Sequence, residues 1–263
     1  MKKLLTAVVL LFSFSVSSFA LVNIGVSGGY ASVAMTDLNN YLDDDYKDFK
    51  DAGFNPSLTK MGSGLYANID LNFGVIPFLN LGIRSGILYC FQGKLTGDIN
   101  LGLFNPSLSS YSGSLSESFD ALLIPVMGGV GVNIGLPGMP FSINAGIYAG
   151  YGFSTVSQNV NVKTNIIPLD SSFNPVYTGG GFVMDAGIGL DFSILPFISA
   201  TFNIAYKLAK IPEVKSSSDV VINESWLSET VVKKDDVLKN KNGDTVSIDY
   251  SGINIGVGIN FGF

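Results

Sequence analysis

The sequence predicts an all-β protein, a closed eight-stranded antiparallel β-barrel that crosses a membrane. Its 263 residues are 47% hydrophobic and only 14% charged, with a mean hydropathy of +0.38. Ordinary soluble domains carry about 25% charged residues. The apolar stretches are nevertheless broken by Gly, Asn, Ser and Asp before the roughly 20 residues that a helix needs to span a bilayer. Because only helices and closed barrels satisfy their backbone polar groups in lipid, a barrel is the solution that remains.

A second observation is that apolar residues alternate with small or polar ones at a period of two, which is typical of strands. From Ile253 to Phe263, isoleucine, valine and phenylalanine alternate with glycine and asparagine. Glycine and asparagine suit the crowded interior of a barrel better than a solvated sheet face. The same pattern predicts eight strands, near residues 21–33, 63–75, 79–92, 118–134, 141–154, 180–194, 198–210 and 245–263.

The third observation is that short and long connections alternate between these strands. Short turns lie around Pro77, residues 137–140 and Pro196, whereas the other four connections run to about 25 to 35 residues. Even-stranded outer-membrane barrels have short periplasmic turns and longer outer loops. The sequence therefore predicts short periplasmic turns, four long outer loops and both chain ends on the periplasmic side.

A short helix is predicted in the first long loop. Leu38, Tyr41, Asp45 and Phe49 fall on one stripe of a helix. Asp37 is placed to cap its start, and a nearby glycine, Gly53, is placed to end it.

The fourth predicted strand is unusual because residues 119–127 are apolar on both faces and include Pro125. Proline cannot donate a ladder hydrogen bond, and a closed barrel has no edge strand to host it. We therefore expect a β-bulge at Pro125.

The first twenty residues have the pattern of a secretory signal peptide. Lys2 and Lys3 precede the apolar stretch 4–14, and Ser18-Phe19-Ala20 resembles a cleavage site. Cleavage after Ala20 is expected, which leaves residues 21–263 as the barrel domain. That part has 13 basic and 21 acidic residues once the two lysines are removed, a net charge of −8. Such a balance argues against nucleic acid as a partner.

The alternating strand that ends in Phe263 carries a family resemblance, as does the segment Leu122-Leu123-Ile124-Pro125. The chain resembles the small outer-membrane β-barrel superfamily, which includes the OmpA transmembrane domain, OmpX and the PorT-like barrels. The resemblance implies a Gram-negative-type outer membrane as the location and outer-membrane lipid as the surroundings. It also implies that Phe261 and Phe263 form the signal read by the barrel-assembly machinery. Members of this superfamily serve as structural anchors, adhesins, narrow channels or enzymes, so fold alone does not fix function.

Several kinds of chemistry are excluded or weakened by composition. The chain has no histidine, and the barrel enzymes that it resembles, a lipid acyltransferase, a phospholipase and an omptin-type protease, use histidine as a base. We therefore expect no enzymatic activity and no cofactor. Zinc or copper sites are not expected with no histidine and one cysteine, Cys90, which is predicted to be a buried filler. The acidic run over residues 43–51 is better explained as a solvated helix face than as a calcium site, because the EF-hand spacing is absent.

Charged residues on the predicted inward face suggest ion pairs inside the barrel. A three-residue turn centred on Pro77 would pair Val75 with Leu79, and continuing that register places Asp70 opposite Arg84. An equivalent turn centred on Pro196 would pair Ile194 with Ile198 and place Asp185 opposite Lys207. Both pairs then face the lumen.

Two functions are consistent with these observations. The first is a non-enzymatic structural or surface-interaction protein whose long outer loops contact an extracellular partner. The alternative is a narrow channel or carrier for small or apolar solutes, because the inward face is rich in glycine and could leave free volume. An arginine bridged across the lumen would obstruct ions. We therefore expect little conductance in the native sequence and more in Arg84→Ala.

Overall fold

The structure is a computed structural model, and it describes residues 22–51, 53–76, 78–100, 112–135, 139–164, 169–224 and 227–263. The predicted signal peptide with its cleavage site after Ala20 lies outside these residues, as do Pro77 and Pro137 of the predicted turns. The described residues form one helix, α1 (Thr36–Asp51), and fourteen strands. The strands are β1 (Val22–Ser32), β2 (Asn55–Thr59), β3 (Ser63–Ile76), β4 (Leu79–Asn100), β5 (Ser112–Gly135), β6 (Phe141–Thr164), β7 (Leu169–Phe173), β8 (Val176–Leu195), β9 (Ile198–Ile211), β10 (Val214–Ser216), β11 (Val220–Glu224), β12 (Leu227–Val232), β13 (Ile248–Asp249) and β14 (Gly252–Gly262).

Eight of these strands pair in a ring. The order around the ring is β1, β3, β4, β5, β6, β8, β9 and β14, and β14 pairs again with β1. Every pairing in the ring is antiparallel, which confirms the predicted all-β class and the number of strands. Strands β4, β5 and β6 extend well beyond their predicted ends, so part of each long connection is a continuation of the sheet.

The two turns that set the interior register differ in detail from the prediction. Leu195 pairs with Ile198 and Ile194 is bulged out, so the expected pairing of Ile194 with Ile198 is wrong. In the same way Ile76 pairs with Leu79, and the expected pairing of Val75 with Leu79 is wrong. Each turn is one residue shorter than predicted, and the one-residue bulge offsets the difference. The register further up both hairpins is therefore the one that a three-residue turn would give.

The expected bulge at Pro125 is also wrong. Pro125 pairs with Gly152 of β6 in an unbroken ladder. On its other side the β4–β5 ladder is interrupted at Gly86 and Ile87 but keeps its register, so no residue is inserted there. Ser85 donates a hydrogen bond from Oγ to the carbonyl oxygen of Pro125 at 3.0 Å. The sheet thus accommodates the missing N–H by leaving two ladder pairs open, and the true bulge in β4 lies between Cys90 and Gly93.

The outside of the ring carries an apolar belt. Exposed isoleucine, leucine, valine, phenylalanine and tyrosine side chains occur on all eight ring strands, from Tyr30 of β1 to Val257 of β14. Outward positions become polar toward the long-loop end, where Lys94, Thr178 and Lys210 are exposed. Among the described residues, no helix is both long and apolar enough to cross a membrane.

The inside of the ring is filled at the long-loop end by a group of buried apolar side chains that we call the outer core. Helix α1 and the segment before β14 pack onto the ring strands there, and each side chain named here is at most 1% exposed. The outer core includes Leu38 and Leu42 of α1, Leu88, Leu123, Val183 and Ile211 of the ring, and Ile248 and Tyr250.

The helix has the predicted stripe but a different N-terminal arrangement. Gly53, at φ 83°, follows α1, and the amide of Phe54 donates to the carbonyl oxygen of Phe49 at 3.1 Å, which ends the helix as expected. Asp37 lies inside the first turn and does not cap it. Its carboxylate instead accepts hydrogen bonds from the amide and the hydroxyl of Ser247. Asp37 therefore ties α1 to the segment before β14.

Candidate functional site in the ring interior

Below the outer core lies a set of four charged side chains, which we call the charged layer: Asp70, Arg84, Asp185 and Lys207. Asp70 is opposite Arg84 on the β3–β4 ladder, and Asp185 is opposite Lys207 on the β8–β9 ladder. The Nε atom of Arg84 lies 2.5 Å from Oδ1 of Asp70, and Nζ of Lys207 lies 3.0 Å from Oδ2 of Asp185. The four predicted interior residues are therefore brought together in the pairs that the register gave.

The two pairs are joined across the ring. Nη1 of Arg84 lies 3.5 Å from Oδ1 of Asp185, although β4 and β8 are separated by two strands in the sheet. Lys207 and Asp185 have side chains that are 2% and 1% exposed, and those of Arg84 and Asp70 are 20% and 11% exposed. The charged layer holds two charges of each sign, so it is neutral as a unit and spans the interior. Sequence register predicted each pair but not the bridge between them.

Tyr148 completes this layer. The guanidinium carbon of Arg84 lies 4.2 Å from the centre of the Tyr148 ring, within the range of a cation–π contact. The Tyr148 hydroxyl donates to Oδ1 of Asn72 at 2.9 Å. Sequence reasoning missed this residue. The available signal was its inward parity, since Tyr148 is opposite Asp185 on the β6–β8 ladder.

Glycines surround the Tyr148 ring. A Cβ added at Gly129, Gly146 or Gly82 would lie 2.6, 3.0 or 3.2 Å from a Tyr148 ring carbon. These glycines therefore make room for a large side chain that reaches across the layer, and the volume that they leave is partly occupied.

The ring interior on the other side of the charged layer is a polar cavity of about 860 Å³, which we call the vestibule. Arg84, Tyr66 and Tyr148 line its inner end, and it reaches Phe78 and Phe197 of the short turns. Asparagines from several ring strands line its wall: Asn23, Asn68, Asn72, Asn80, Asn133, Asn144, Asn203, Asn254 and Asn260. The unfilled volume expected from the glycine-rich inward face is thus present, but on one side of the charged layer.

A second group of ionisable residues lies at the long-loop end, between α1 and the extended ring strands. Glu117 of β5 is 5% exposed and its Oε1 accepts a hydrogen bond from Nε2 of Gln158 at 2.5 Å. The carboxyl groups of Glu117 and Asp45 also share a hydrogen bond, and the ring of Tyr41 packs edge-on against Phe119 at 5.5 Å. We call Asp45 and Glu117 the acid pair. Sequence reasoning placed Asp45 on the helix stripe but did not find its partner.

Burial and mutual repulsion determine the protonation of the acid pair. Burial, with the nearby Asp45 carboxyl, raises the pKa of Glu117 to about 7. Burial likewise raises the pKa of Asp45, and the neighbouring Asp48 adds to it while Lys241 opposes it. The same burial, with Glu117 nearby, raises the pKa of Tyr41. One proton shared between the two carboxyls is the arrangement that this site favours near neutral pH.

Three other acidic side chains of α1, those of Asp43, Asp44 and Asp48, pair with lysines at the surface. Lys60 lies 2.6 Å from Asp43, Lys241 lies 2.9 Å from Asp48 and Lys47 lies 3.5 Å from Asp44. In the part of the chain that the structure describes, no group of three or more cysteine and acidic side chains is placed to hold a metal ion.

Phe261 and Phe263 lie where the ring closes. Phe261 pairs with Ile24 of β1 on one side and with Ile198 of β9 on the other. The amide of Phe263 donates to the carbonyl oxygen of Val22 at 2.8 Å, and its side chain is 71% exposed. Both aromatic residues are therefore part of the seam between β1 and β14.

Comparisons with known proteins give fold-level matches alone. No protein-family model matches the sequence, and no curated protein sequence matches it. Solved structures that match include Neisserial surface protein A, at 10% identity over 92% of this chain and 97% of that chain, with a TM-score of 0.38. OprG from Pseudomonas aeruginosa matches at 14% identity over 94% and 99%, with a TM-score of 0.43. The outer membrane protease OmpT from Escherichia coli matches at 8% identity over 92% and 96%, with a TM-score of 0.43.

Proposed function

We propose that the chain is a non-enzymatic outer-membrane β-barrel protein whose ring is closed to ion flow and whose outer loops serve a structural or surface-interaction role. The observation that carries the proposal is the combination of an apolar belt outside the ring with a blocked interior. The belt is what a lipid-exposed barrel needs, and the charged layer and outer core are two successive barriers inside it.

The membrane placement is supported by the extent of the apolar belt. Ile69, Ile188 and Val257 are 60, 64 and 65% exposed, although isoleucine and valine are usually buried in soluble proteins. Such residues encircle the ring, whereas an interaction patch on a soluble protein would cover one side. Lipid is therefore the surrounding that fits the whole circumference.

The closed interior is supported by burial above and within the charged layer. Ions would have to pass Lys207 and Asp185, which are almost fully buried, and then the outer core, whose apolar side chains exclude water. This second barrier changes the expectation for Arg84→Ala drawn from the sequence. We now expect that variant alone to remain closed, because the outer core is untouched.

Conductance in planar bilayers tests this proposal. The full mature chain refolded in detergent should show no steady conductance, and Arg84→Ala should match it. Combining Arg84→Ala with Leu38→Asn and Leu42→Asn, which loosens α1 from the outer core, should produce openings. A stable open-pore conductance of the native chain would overturn the closed ring. Recovery of the native chain as a soluble periplasmic monomer would overturn the membrane placement.

Export and assembly complete the proposal. We propose that the signal peptide is removed after Ala20, so that the mature chain begins at Leu21, and that Phe261 and Phe263 are read by the barrel-assembly machinery. Phe263 lies at the seam, so its deletion should lower insertion yield far more than deletion of residues 216–228 in the fourth outer loop. Equal yields in an outer-membrane fractionation would contradict the assembly role.

A further inference from the structure

We propose that the vestibule is a binding site for a small neutral polyhydroxylated molecule of monosaccharide or disaccharide size, which enters from the short-turn end. The inference goes beyond the proposed function, because it requires binding without transport. It depends on the membrane placement only for the compartment that supplies the ligand, which would be the periplasm.

Size and access favour a small molecule. The cavity of about 860 Å³ is within the range of small-molecule sites, which run from about 300 to 1,000 Å³. The charged layer closes its inner end and the outer core lies beyond that layer. Among the described residues, the open end of the cavity lies at the short turns, where Phe78 and Phe197 line it and offer apolar faces to the C–H groups of a sugar ring.

Two buried polar atoms at the wall lack hydrogen-bond partners. Asn254 is 2% exposed and its Nδ2 has no acceptor. Asp185 is 1% exposed and its Oδ1 accepts no hydrogen bond, although Arg84 lies 3.5 Å away. A buried donor or acceptor that is left without a partner destabilises the fold, so both atoms favour a polar occupant. One needs an acceptor and the other a donor, and a hydroxyl group can supply either.

The side chains that line the vestibule disfavour charged ligands and apolar ligands. Asp191 is 7% exposed and accepts from the side-chain amides of Asn260 at 3.1 Å and Asn133 at 3.5 Å. In the described part of the chain no lysine or arginine pairs with Asp191, whereas Asp70 and Asp185 are balanced by Arg84 and Lys207. Both carboxyl oxygens of Asp191 are already hydrogen-bonded and so offer little to a cation, and among the described residues of the site no unpaired lysine or arginine is present to hold an anion. An apolar ligand would leave the asparagine amides unpaired.

The experiment uses the refolded full chain in a detergent without a sugar headgroup, and equilibrium binding of maltose as the probe. D-Glucuronate and tetramethylammonium serve as anionic and cationic comparisons. Maltose should bind, glucuronate should bind at least about tenfold more weakly, and tetramethylammonium should not displace maltose.

Two variants and two matched controls locate the binding. Asn254→Leu removes the unpaired donor and should weaken maltose binding at least about tenfold while the fold is kept, since it deletes an unsatisfied group. Gly131→Phe should abolish binding, because Gly131 lines the vestibule and the nearest atom to an added Cβ is 3.4 Å away. Asn161→Leu and Gly62→Phe make the same changes at the long-loop end and should bind like the native chain. Heat-dependent gel migration shows that each variant is folded.

The outcomes separate this proposal from the preceding one. Absence of maltose binding, or binding unchanged in both Asn254→Leu and Gly131→Phe, would overturn the site. Binding of tetramethylammonium in place of maltose would overturn the ligand class. None of these results depends on conductance or on cell fractionation. A failure of maltose binding would therefore not contradict the proposed closed outer-membrane barrel.

Discussion

The charged layer and the acid pair both bury carboxyl groups, and they stabilise them in opposite ways. Asp70 and Asp185 are matched by cations, Arg84 and Lys207. Asp45 and Glu117 are matched by each other, with Gln158 and Tyr41 beside them and Lys241 as the nearest cation. Two facing carboxyls repel each other when both are charged, so burial together with this repulsion raises the pKa of Glu117 and of Asp45. We therefore expect a response to pH where α1 packs on β5, at the acid pair.

The largest effect should come from breaking a cation–carboxylate pair in the charged layer. Lys207→Met leaves Asp185 almost fully buried, with Arg84 as its remaining cation, and should lower the free energy of unfolding by about 3 to 5 kcal/mol. Urea unfolding in detergent measures it. Lys215→Met is the matched control. Lys215 pairs with Glu213 at 2.9 Å, but both side chains are about half exposed, so the urea midpoint of this variant should match that of the native chain. If both variants lose the same stability, burial of the Asp185–Lys207 pair does not make it more important than the exposed Glu213–Lys215 pair.

A smaller effect is expected at the acid pair, where the docking of α1 on β5 should depend on pH. The pKa of Glu117 is raised from 4.5 to about 7 in the folded state. Its contribution to docking of α1 is therefore fully present below pH 4.5 and is lost as the pH rises through about 7. Hydrogen exchange of the α1 amides, corrected for intrinsic rates, should show protection falling over this window. Tyr41, Tyr177, Asp44, Asp48 and Lys241 also act on the pair, but none of them carries the shared proton.

The matched variant for this prediction is Glu117→Gln, which keeps the hydrogen-bonding capacity and removes the charge. Protection of α1 in Glu117→Gln should stay level between pH 5 and pH 8. A native chain with level protection, or a variant with the native slope, would show that the acid pair does not control the helix. Exchange of the β8–β9 amides around Asp185 and Lys207 is the internal reference and should not follow this window.

Arg84→Lys tests how much the shape of the guanidinium group, beyond its charge, stabilises the charged layer. A lysine keeps the charge but cannot reach Asp70 and Asp185 with separate nitrogens or stack on Tyr148 in the same way. We expect a loss of about 1 to 2 kcal/mol in urea unfolding, well below the effect of Lys207→Met. If Arg84→Lys is as damaging as Lys207→Met, the bridge across the ring matters as much as the most buried pair.

The smallest effect is expected at the solvated face of α1. Lys241→Met removes the ion pair with Asp48, in which the two side chains are 43 and 59% exposed, and should shift the urea unfolding midpoint only slightly. The change should vanish in high salt because surface pairs are screened. A salt-independent loss would indicate that Lys241 stabilises the acid pair behind it more strongly than Asp48.

The sequence predicted the charged layer because its geometry follows from local rules. Turn length and strand parity were enough to place Asp70 opposite Arg84 and Asp185 opposite Lys207. The bulges at Val75 and Ile194, which the sequence did not predict, left that register intact. The acid pair was not predictable in this way. Glu117 meets Asp45 only because β5 extends past the apolar belt and α1 folds back over it, and no periodicity relates a loop helix to a distant strand.

Features that depend on contacts between distant strands were likewise not predicted from the sequence. The Arg84–Asp185 bridge and the outer core depend on contacts across the ring, which a hairpin register does not specify. Pro125 was expected to force a bulge because its missing donor was considered alone. The neighbouring strand β4 instead leaves its ladder with β5 open at Gly86 and Ile87. A rule that considers proline alone cannot predict this adjustment in the adjacent strand.

Because glycines surround the Tyr148 ring, the effect of a substitution at one of them depends on which residue occupies position 148. A Cβ at Gly146 would lie 3.0 Å from the Tyr148 ring, and its other nearest atoms are at 3.4 Å or beyond. Gly146→Ala should therefore be harmful beside Tyr148 and tolerated once Tyr148 has become serine. The two positions are epistatic, and evolution or laboratory selection can pass through the small residue at 148 first but not through the larger residue at 146.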